Sequence, residues 1–194
     1  MQFEKFAVEI VPYDSAWPAV FRSEAARIAP AFGGSLLAIE HVGSTAVPGL
    51  AAKPIVDMMP LIRSIAEVDE VNTGMTALGY VAKGEYGLAG RRYFVREENG
   101  VRLIHVHAFE ADNGDAIRML DFRDYLRAHP ADAEAYAALK RALAAKYPDD
   151  SLTYNEAKTD FIRGIEAKAR AWRESGRARL LPSREMERAN DGNP

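Results

Sequence analysis

His41-Val42-Gly43-Ser44-Thr45-Ala46-Val47-Pro48-Gly49-Leu50-Ala51-Ala52-Lys53-Pro54-Ile55-Val56-Asp57-Met58-Met59 is the stretch that decides the fold. An apolar strand ends in Gly-Ser, a loop of small residues with one lysine follows, and a second apolar strand carries a lone aspartate. Glycine at position 43 permits close backbone approach and left-handed dihedrals. Ser44, Thr45 and the loop amides offer donors to an anion. Two-residue alternation sets Ile55, Asp57 and Met59 on one strand face and Val56 and Met58 on the other. A carboxylate between apolar neighbours requires a partner: backbone amides, Lys53 or a metal ion. The strand-Gly-Ser-loop-strand-Asp unit brings loop and carboxylate to one sheet edge, where Ser44 can hold a phosphate oxygen and Asp57 a divalent ion. Lys53, held extended by Pro54, is either a solvated loop cation or a phosphate contact.

Upstream, residues 7–11 read as a short edge strand. Asp14 or Ser15 then caps a helix that tolerates Pro18 in its first turn. Trp17, Val20, Phe21, Ile28 and Phe32 share one face of it, and Gly33-Gly34 stops it. Strands are expected over 36–42 and 54–61, the second apolar enough for a central, doubly covered place in the sheet. Ser64 and Glu67 form a capping box for a helix whose stripe is Ile65, Val68, Val71, Met75 and Leu78. Gly79 ends that helix and 80–83 is a further strand. Gly84, Gly87 and Gly90 mark a mobile connection. Strands over 91–96 and 101–109 turn through Glu97-Glu98-Asn99-Gly100 as a hairpin. From Asp115 on the pattern is helical: 115–128, then 132–147 with Tyr136, Leu139, Leu143 and Tyr147 on one face, then a helix opened by a Thr153–Glu156 capping box and running to Trp172. Tyr136 and Tyr147 read as core. The outline is one α+β domain over 1–174 with C-terminal helices, and a flexible tail over 175–194.

His105 and His107 in Leu103-Ile104-His105-Val106-His107 share one strand face. Such a pair is either a half-exposed polar face or a metal-binding or proton-handling pair. Four good ligands for a closed zinc site are not evident. Arg91, Arg92 and Arg102 lie on the hairpin, and one of them aimed inward would grip a phosphate bidentately. Arg123 either pairs with Asp124 on a helix surface or reaches a ligand. Tyr154 and Lys158, four residues apart, share a helix face.

Composition narrows the function classes. The 194 residues are 48% apolar and 27% charged, ordinary for a globular chain. A net charge of −3 gives no global basic field for nucleic acid, so no extensive nucleic-acid surface is expected. The absence of cysteine excludes disulfides, thiolate metal sites and thiol nucleophiles. Residues 1–14 carry acidic residues and no long apolar run, and no segment is long enough to cross a bilayer. A soluble cytoplasmic protein is expected. Neither Gly-x-Gly-x-x-Gly, a Walker Gly-Lys-Ser nor a Gly-x-Ser-x-Gly elbow occurs, and the hydride-transfer and P-loop ATPase readings fall away.

The stretch from His41 to Asp57 resembles the signature of the GrpB (UPF0157) family. So do Arg92-Tyr93-Phe94, Arg102 with His105-Val106-His107, Leu120-Asp121-Phe122-Arg123-Asp124-Tyr125-Leu126-Arg127 with His129-Pro130, and Tyr154 with Lys158 and Phe161-Ile162. The likeness covers about 8–172. It implies a nucleotidyltransferase-like mixed sheet flanked by helices, in a family with a similar domain fused to dephospho-coenzyme A kinase in some bacteria. In nucleotidyltransferases the second strand carries two acids one residue apart. Here Asp57 matches and the second position is Met59, which removes the bridging carboxylate of two-metal catalysis. The resemblance implies a site in which Gly43, Ser44, Thr45, Lys53, Arg92, Arg123, Tyr154 and Lys158 hold a phosphate-bearing small molecule such as a nucleotide. Asp57, with His105 or His107 beside it, would be metal ligand (Mg²⁺ or Mn²⁺) and catalytic group. The two functions in play are a nucleotidyl- or phosphotransferase and a catalytically inactive nucleotide or coenzyme A-type binding module.

Overall fold

A computed structural model describes residues 6–66 and 68–176; the side chains of 69–71 lie outside that description. Glu67 of the expected capping box, the side chain of Val71 and the expected tail from 177 on therefore lie outside the described residues.

Five strands form one mixed sheet: β1 (Leu36–Val42), β2 (Val56–Ile62), β3 (Tyr80–Ala82), β4 (Arg92–Glu98) and β5 (Val101–Glu110). Their spatial order is β1-β2-β5-β4-β3. β2 and β5 run parallel, and the other neighbours pair antiparallel. β2 lies inside the sheet between β1 and β5, covered on both faces as expected, while β5 holds the centre; Met58, Met59 and Ile62 of β2 are fully buried. The β4–β5 turn passes through Asn99 and Gly100, both with positive φ (50° and 77°), the geometry that favours Asn-Gly in a tight hairpin.

Alternation along the strands divides the sheet into two faces. One carries Val56, Met58, Phe94, Ile104 and Val106, packed against Trp17, Phe21, Ile28 and Phe32 of α1 (Trp17–Phe32) and Val68 and Met75 of α2 (Val68–Ala77). On the other, Val42, Met59 and Phe109 meet Ala116 of α3 (Gly114–Ala128). α4 (Pro130–Lys146), α5 (Ser151–Ala157) and α6 (Thr159–Glu174) follow. Tyr125 and Leu126 of α3, Tyr136 and Ala137 of α4 and Ile165 and Ala169 of α6 pack with Val47, Leu50 and Ala51. The C-terminal helices therefore clamp the loop between β1 and β2. None of the described helices is long and apolar enough to cross a membrane.

Several elements depart from the sequence expectation. Residues 7–11 contribute a single bridge, Val11 to Ala52. β2 starts at Val56 because Pro54 has no amide to donate and the Ile55 amide turns back onto the Lys53 carbonyl at 2.8 Å. On α1, Val20 is 41% exposed and Glu24, 6% exposed, takes a place on the buried face. No side chain caps α1; the Asp14 carboxylate instead accepts from the Ala16 amide at 2.8 Å. The last predicted helix divides in two. Asp150 caps α5 by accepting from the Leu152 and Thr153 amides, displacing the expected Thr153–Glu156 box, and the chain breaks at Lys158 before α6.

Candidate functional site

Strand register assembles the first half of the site. Asp57 near the start of β2 faces His105 on β5, and His107 faces Tyr93 on β4. Asp57, His105 and His107 therefore project from one sheet face, beyond the part that α3 covers. Asp57 Oδ1 lies 3.3 Å from His105 Nδ1 and 3.3 Å from His107 Nε2. The Asp57 carboxyl is a contest of two effects. Burial pushes its pKa up, and the hydrogen bonds and electrostatic attraction of the His105 and His107 side chains overcome that and hold it well below the usual carboxylate range. Burial lowers the pKa of His107, against the pull of Asp57. His105 Nε2 is buried with no hydrogen-bond partner among the described residues.

Gly43 closes the other side of this group. Its φ is +71°, and a Cβ placed there would sit 2.5 Å from Asp57 Oδ2. The glycine that begins the Gly-Ser turn is thus required twice, by its dihedral and by the carboxylate against its Cα. Gly43→Ala is expected to cost about 1–3 kcal/mol and to displace the Asp57 side chain. Chemical denaturation measures the first, and the chemical shifts of the His105 and His107 imidazoles measure the second.

The second half of the site comes from the C-terminal helices. A cavity of about 550 Å³ opens over Asp57 and is lined by Ser44, Lys53, Arg91, Tyr93, Arg102, Tyr136, Lys140, Tyr154 and Lys158, among others. That is the size of a small-molecule site. Lys140 of α4, 2% exposed, donates to Ser44 Oγ at 2.9 Å and to the Ala51 carbonyl. Lys53 Nζ lies 4.8 Å from the Phe6 ring centroid and 5.4 Å from that of Tyr154, and Lys158 Nζ lies 4.6 Å from that of Tyr154. Burial, then Lys158, Arg141 and Lys53, lower the Lys140 amine to about 7. Burial, then Lys53, lower that of Lys158 to about 7, against the pull of Asp57. The Tyr154 hydroxyl is buried and has no partner among the described residues. Among the described lining residues Asp57 is the one acid, facing three lysines and two arginines.

The structure brings together Gly43, Ser44, Lys53, Asp57, His105, His107, Tyr154 and Lys158. Thr45 lines the same wall, with its hydroxyl taken by His41 Nε2 at 3.0 Å. Two expected phosphate ligands lie elsewhere. Arg92 pairs with Ala108 in the register, one residue out of step with His107, so alternation carries it to the opposite face, where it approaches Glu85 at 3.9 Å. Arg123 is spent inside the protein, on Asp124 at 2.7 Å, Glu40 at 2.7 Å and the His41 carbonyl at 2.9 Å. Arg91, next to Arg92, reaches the cavity instead, with Nη1 3.3 Å from His107 Nδ1. Lys140 escapes the sequence reading because Tyr136 reads as core. The spacing of four between them was the available signal, since it sets a lysine on the apolar face of α4.

The chain matches the family described as GrpB protein over residues 7–168. It is 45% identical over 171 residues to the UPF0157 protein YqkA of Bacillus subtilis, covering 88% of this chain and 50% of that protein, so it spans half the length of that relative. It is 29% identical over 199 residues to a dephospho-CoA kinase of Mycolicibacterium paratuberculosis, covering 90% of this chain and 49% of that one. The crystal structure of GrpB from Enterococcus faecalis superposes with a TM-score of 0.79 at 40% identity, covering 83% of this chain and 96% of the other. The α+β fold is therefore shared with a solved relative, and this chain belongs to the GrpB protein family.

Proposed function

We propose that the cavity binds a phosphate-bearing small molecule of nucleotide size, with a divalent ion at Asp57. The observation that carries this is the charge imbalance: Lys53, Lys140 and Lys158 converge on a cavity in which, among the described residues, Asp57 is the one acid of the lining. Burying that much uncompensated positive charge is unfavourable unless an anion occupies the space. Ser44 and the Tyr154 hydroxyl add polar groups suited to phosphate oxygens, and Tyr93, Tyr136 and Phe6 supply faces for an aromatic base. The similarity to a dephospho-CoA kinase, which by its name handles a phosphate-bearing coenzyme, supports the same ligand class.

If the site is catalytic, the reaction is nucleotidyl or phosphoryl transfer: a cation at Asp57 would offset phosphate charge, and His105 or His107 would move a proton. A binding module without chemistry is favoured by one observation. Met59, at the position of the second acid, is fully buried among Val42, Phe109 and Ala116, where a carboxylate has no place. Thermal shift with nucleoside triphosphates and coenzyme A, followed by product analysis, separates the two. Stabilisation with turnover that Asp57→Asn abolishes supports the enzyme, stabilisation without product supports the module, and no stabilisation by any of them removes both.

The lysines give this binding a pH signature. Lys140 and Lys158 are lowered to about 7 by burial first; Lys53 opposes the charge of both, Lys158 and Arg141 oppose that of Lys140, and Asp57 favours that of Lys158. Below 7 both amines are cationic and meet the anion without a proton change. Above 7 they are neutral in the free protein, and a phosphate raises their pKa as it binds. Nucleotide affinity is expected to fall by roughly tenfold or more between pH 6 and 9, with proton uptake near pH 8. Calorimetry in buffers of different ionisation enthalpy measures that uptake.

A further inference from the structure

We propose that Asp57, His105 and His107 form a mononuclear site for a borderline divalent ion, of the Zn²⁺, Fe²⁺ or Co²⁺ class, and that Mg²⁺ is not its ion. The donor set speaks first. Mg²⁺ takes oxygen ligands, whereas imidazole nitrogen suits zinc and its neighbours. Two of the three donors here are imidazoles, and the second carboxylate that a magnesium-dependent transferase would use is replaced by Met59, sealed in the core.

Geometry speaks next. The ligand atoms of the three residues all lie within 4.8 Å of one another. Both imidazoles stand 3.3 Å from the same Asp57 oxygen. Charge-assisted hydrogen bonds to a carboxylate are shorter, about 2.7–2.9 Å. The observed spacing matches instead the edge between two ligands each about 2.0–2.1 Å from a tetrahedral ion, which is about 3.3–3.4 Å. The positions are fixed by the backbone: Asp57 and His105 are register partners on parallel strands, His107 follows two residues on, and Gly43 packs against the carboxylate. Three protein donors leave further positions for a bound molecule on the cavity side.

One contact must yield. Arg91 Nη1 stands 3.3 Å from His107 Nδ1, and an arginine can only donate, so while this contact is made the His107 proton sits on Nε2. Metal at Nε2 requires the proton on Nδ1 and the loss of that contact. Arg91 keeps the Glu85 carbonyl at 3.1 Å and the Tyr86 carbonyl at 2.8 Å, so the exchange leaves it hydrogen-bonded.

The test uses the untagged full chain and Co²⁺ as probe. Visible d–d absorption is expected to saturate at one ion per chain, to vanish on adding equimolar Zn²⁺, and to persist in millimolar Mg²⁺. His105→Gln and His107→Gln, which keep a polar side chain of similar reach, and Asp57→Asn should each weaken binding at least roughly 10–100-fold, the loss that removing a mere supporting residue produces. Circular dichroism identifies which variants fold, and two folded variants suffice. The proposal is overturned if no absorption develops, if Mg²⁺ displaces Co²⁺ at comparable concentration, or if the folded variants bind like the parent. It fails separately from the phosphate reading: Co²⁺ binding is measured without nucleotide, so the ion can bind where no nucleotide does, and a nucleotide response can persist in a protein that takes no Co²⁺.

Discussion

At pH 6 the Lys158→Met protein unfolds several degrees above the parent, and a nucleoside triphosphate that stabilises the parent stabilises the variant far less. The two effects have one cause. Lys158 is half-buried against the Tyr154 ring, and burial with Lys53 nearby brings its amine down to about 7 from an ordinary 10.5. A lysine whose folded pKa is depressed destabilises the fold wherever its unfolded form carries a proton. The penalty is complete below pH 7, shrinks between 7 and 10.5, and disappears above 10.5. Three to four pKa units correspond to a penalty on the order of 3–5 kcal/mol. Methionine fills the same space without charge, so the penalty is relieved at pH 6 and the gain fades towards pH 10. Thermal denaturation at both pH values reads this directly. A variant less stable than the parent at pH 6, or one that keeps the full nucleotide response, contradicts the assignment.

The largest loss of stability is expected on the opposite sheet face. Glu24, 6% exposed on α1, accepts from Tyr80 of β3 and from Arg27 Nε at 3.0 Å, and lies 3.6 Å from Arg96 of β4. Arg27 reaches on to the Leu78 carbonyl at 3.0 Å. One carboxylate thus ties α1 to the far edge of the sheet. Burial works to raise its pKa, and Arg27, Tyr80 and Arg96 together hold it below the ordinary value. Glu24→Ala leaves the Tyr80 hydroxyl buried without its acceptor and takes the shared carboxylate from Arg27 and Arg96, although Arg96 keeps Glu98 at 3.0 Å, and removing one member of such a buried group costs about 3–5 kcal/mol. Urea denaturation at pH 7 measures it. Because the folded pKa is depressed, the contribution of Glu24 is present above pH 4.5 and is lost as pH falls below it. The parent and Glu24→Ala stabilities should therefore converge in acid. A loss under 1 kcal/mol at pH 7 would mean that the cluster is solvated and carries little.

What the sequence discloses and what it conceals divide along physical lines. The strands around Asp57 are legible because period-two alternation and a glycine at the turn are local signals. The pairing of His105 and His107 on one face is legible for the same reason. Their meeting with Asp57 is not local, since it depends on β5 lying parallel to β2 after two intervening strands. Arg92 and Arg123 mislead because an arginine near a motif says nothing of its direction: register turns the first away, and Glu40 and Asp124 engage the second. Lys140 hides because a lysine among alanines on α4 reads as solvent-facing, while its neighbour one turn back is core. Glu24 hides likewise, as its partners Tyr80 and Arg96 are far along the chain. The split of the last helix at Lys158 is also silent, since no proline or glycine marks it.

The parallel seam between β2 and β5 bears on how the molecule reaches its native state. The β4–β5 hairpin closes over two residues, whereas Asp57 and His107 are separated by 50 positions. Closing short loops precedes closing long ones, so the hairpin can form while β2 is still searching. An ion or anion that needs both strands then meets its site only after that closure. Such a ligand prolongs the lifetime of the finished protein without hastening its formation.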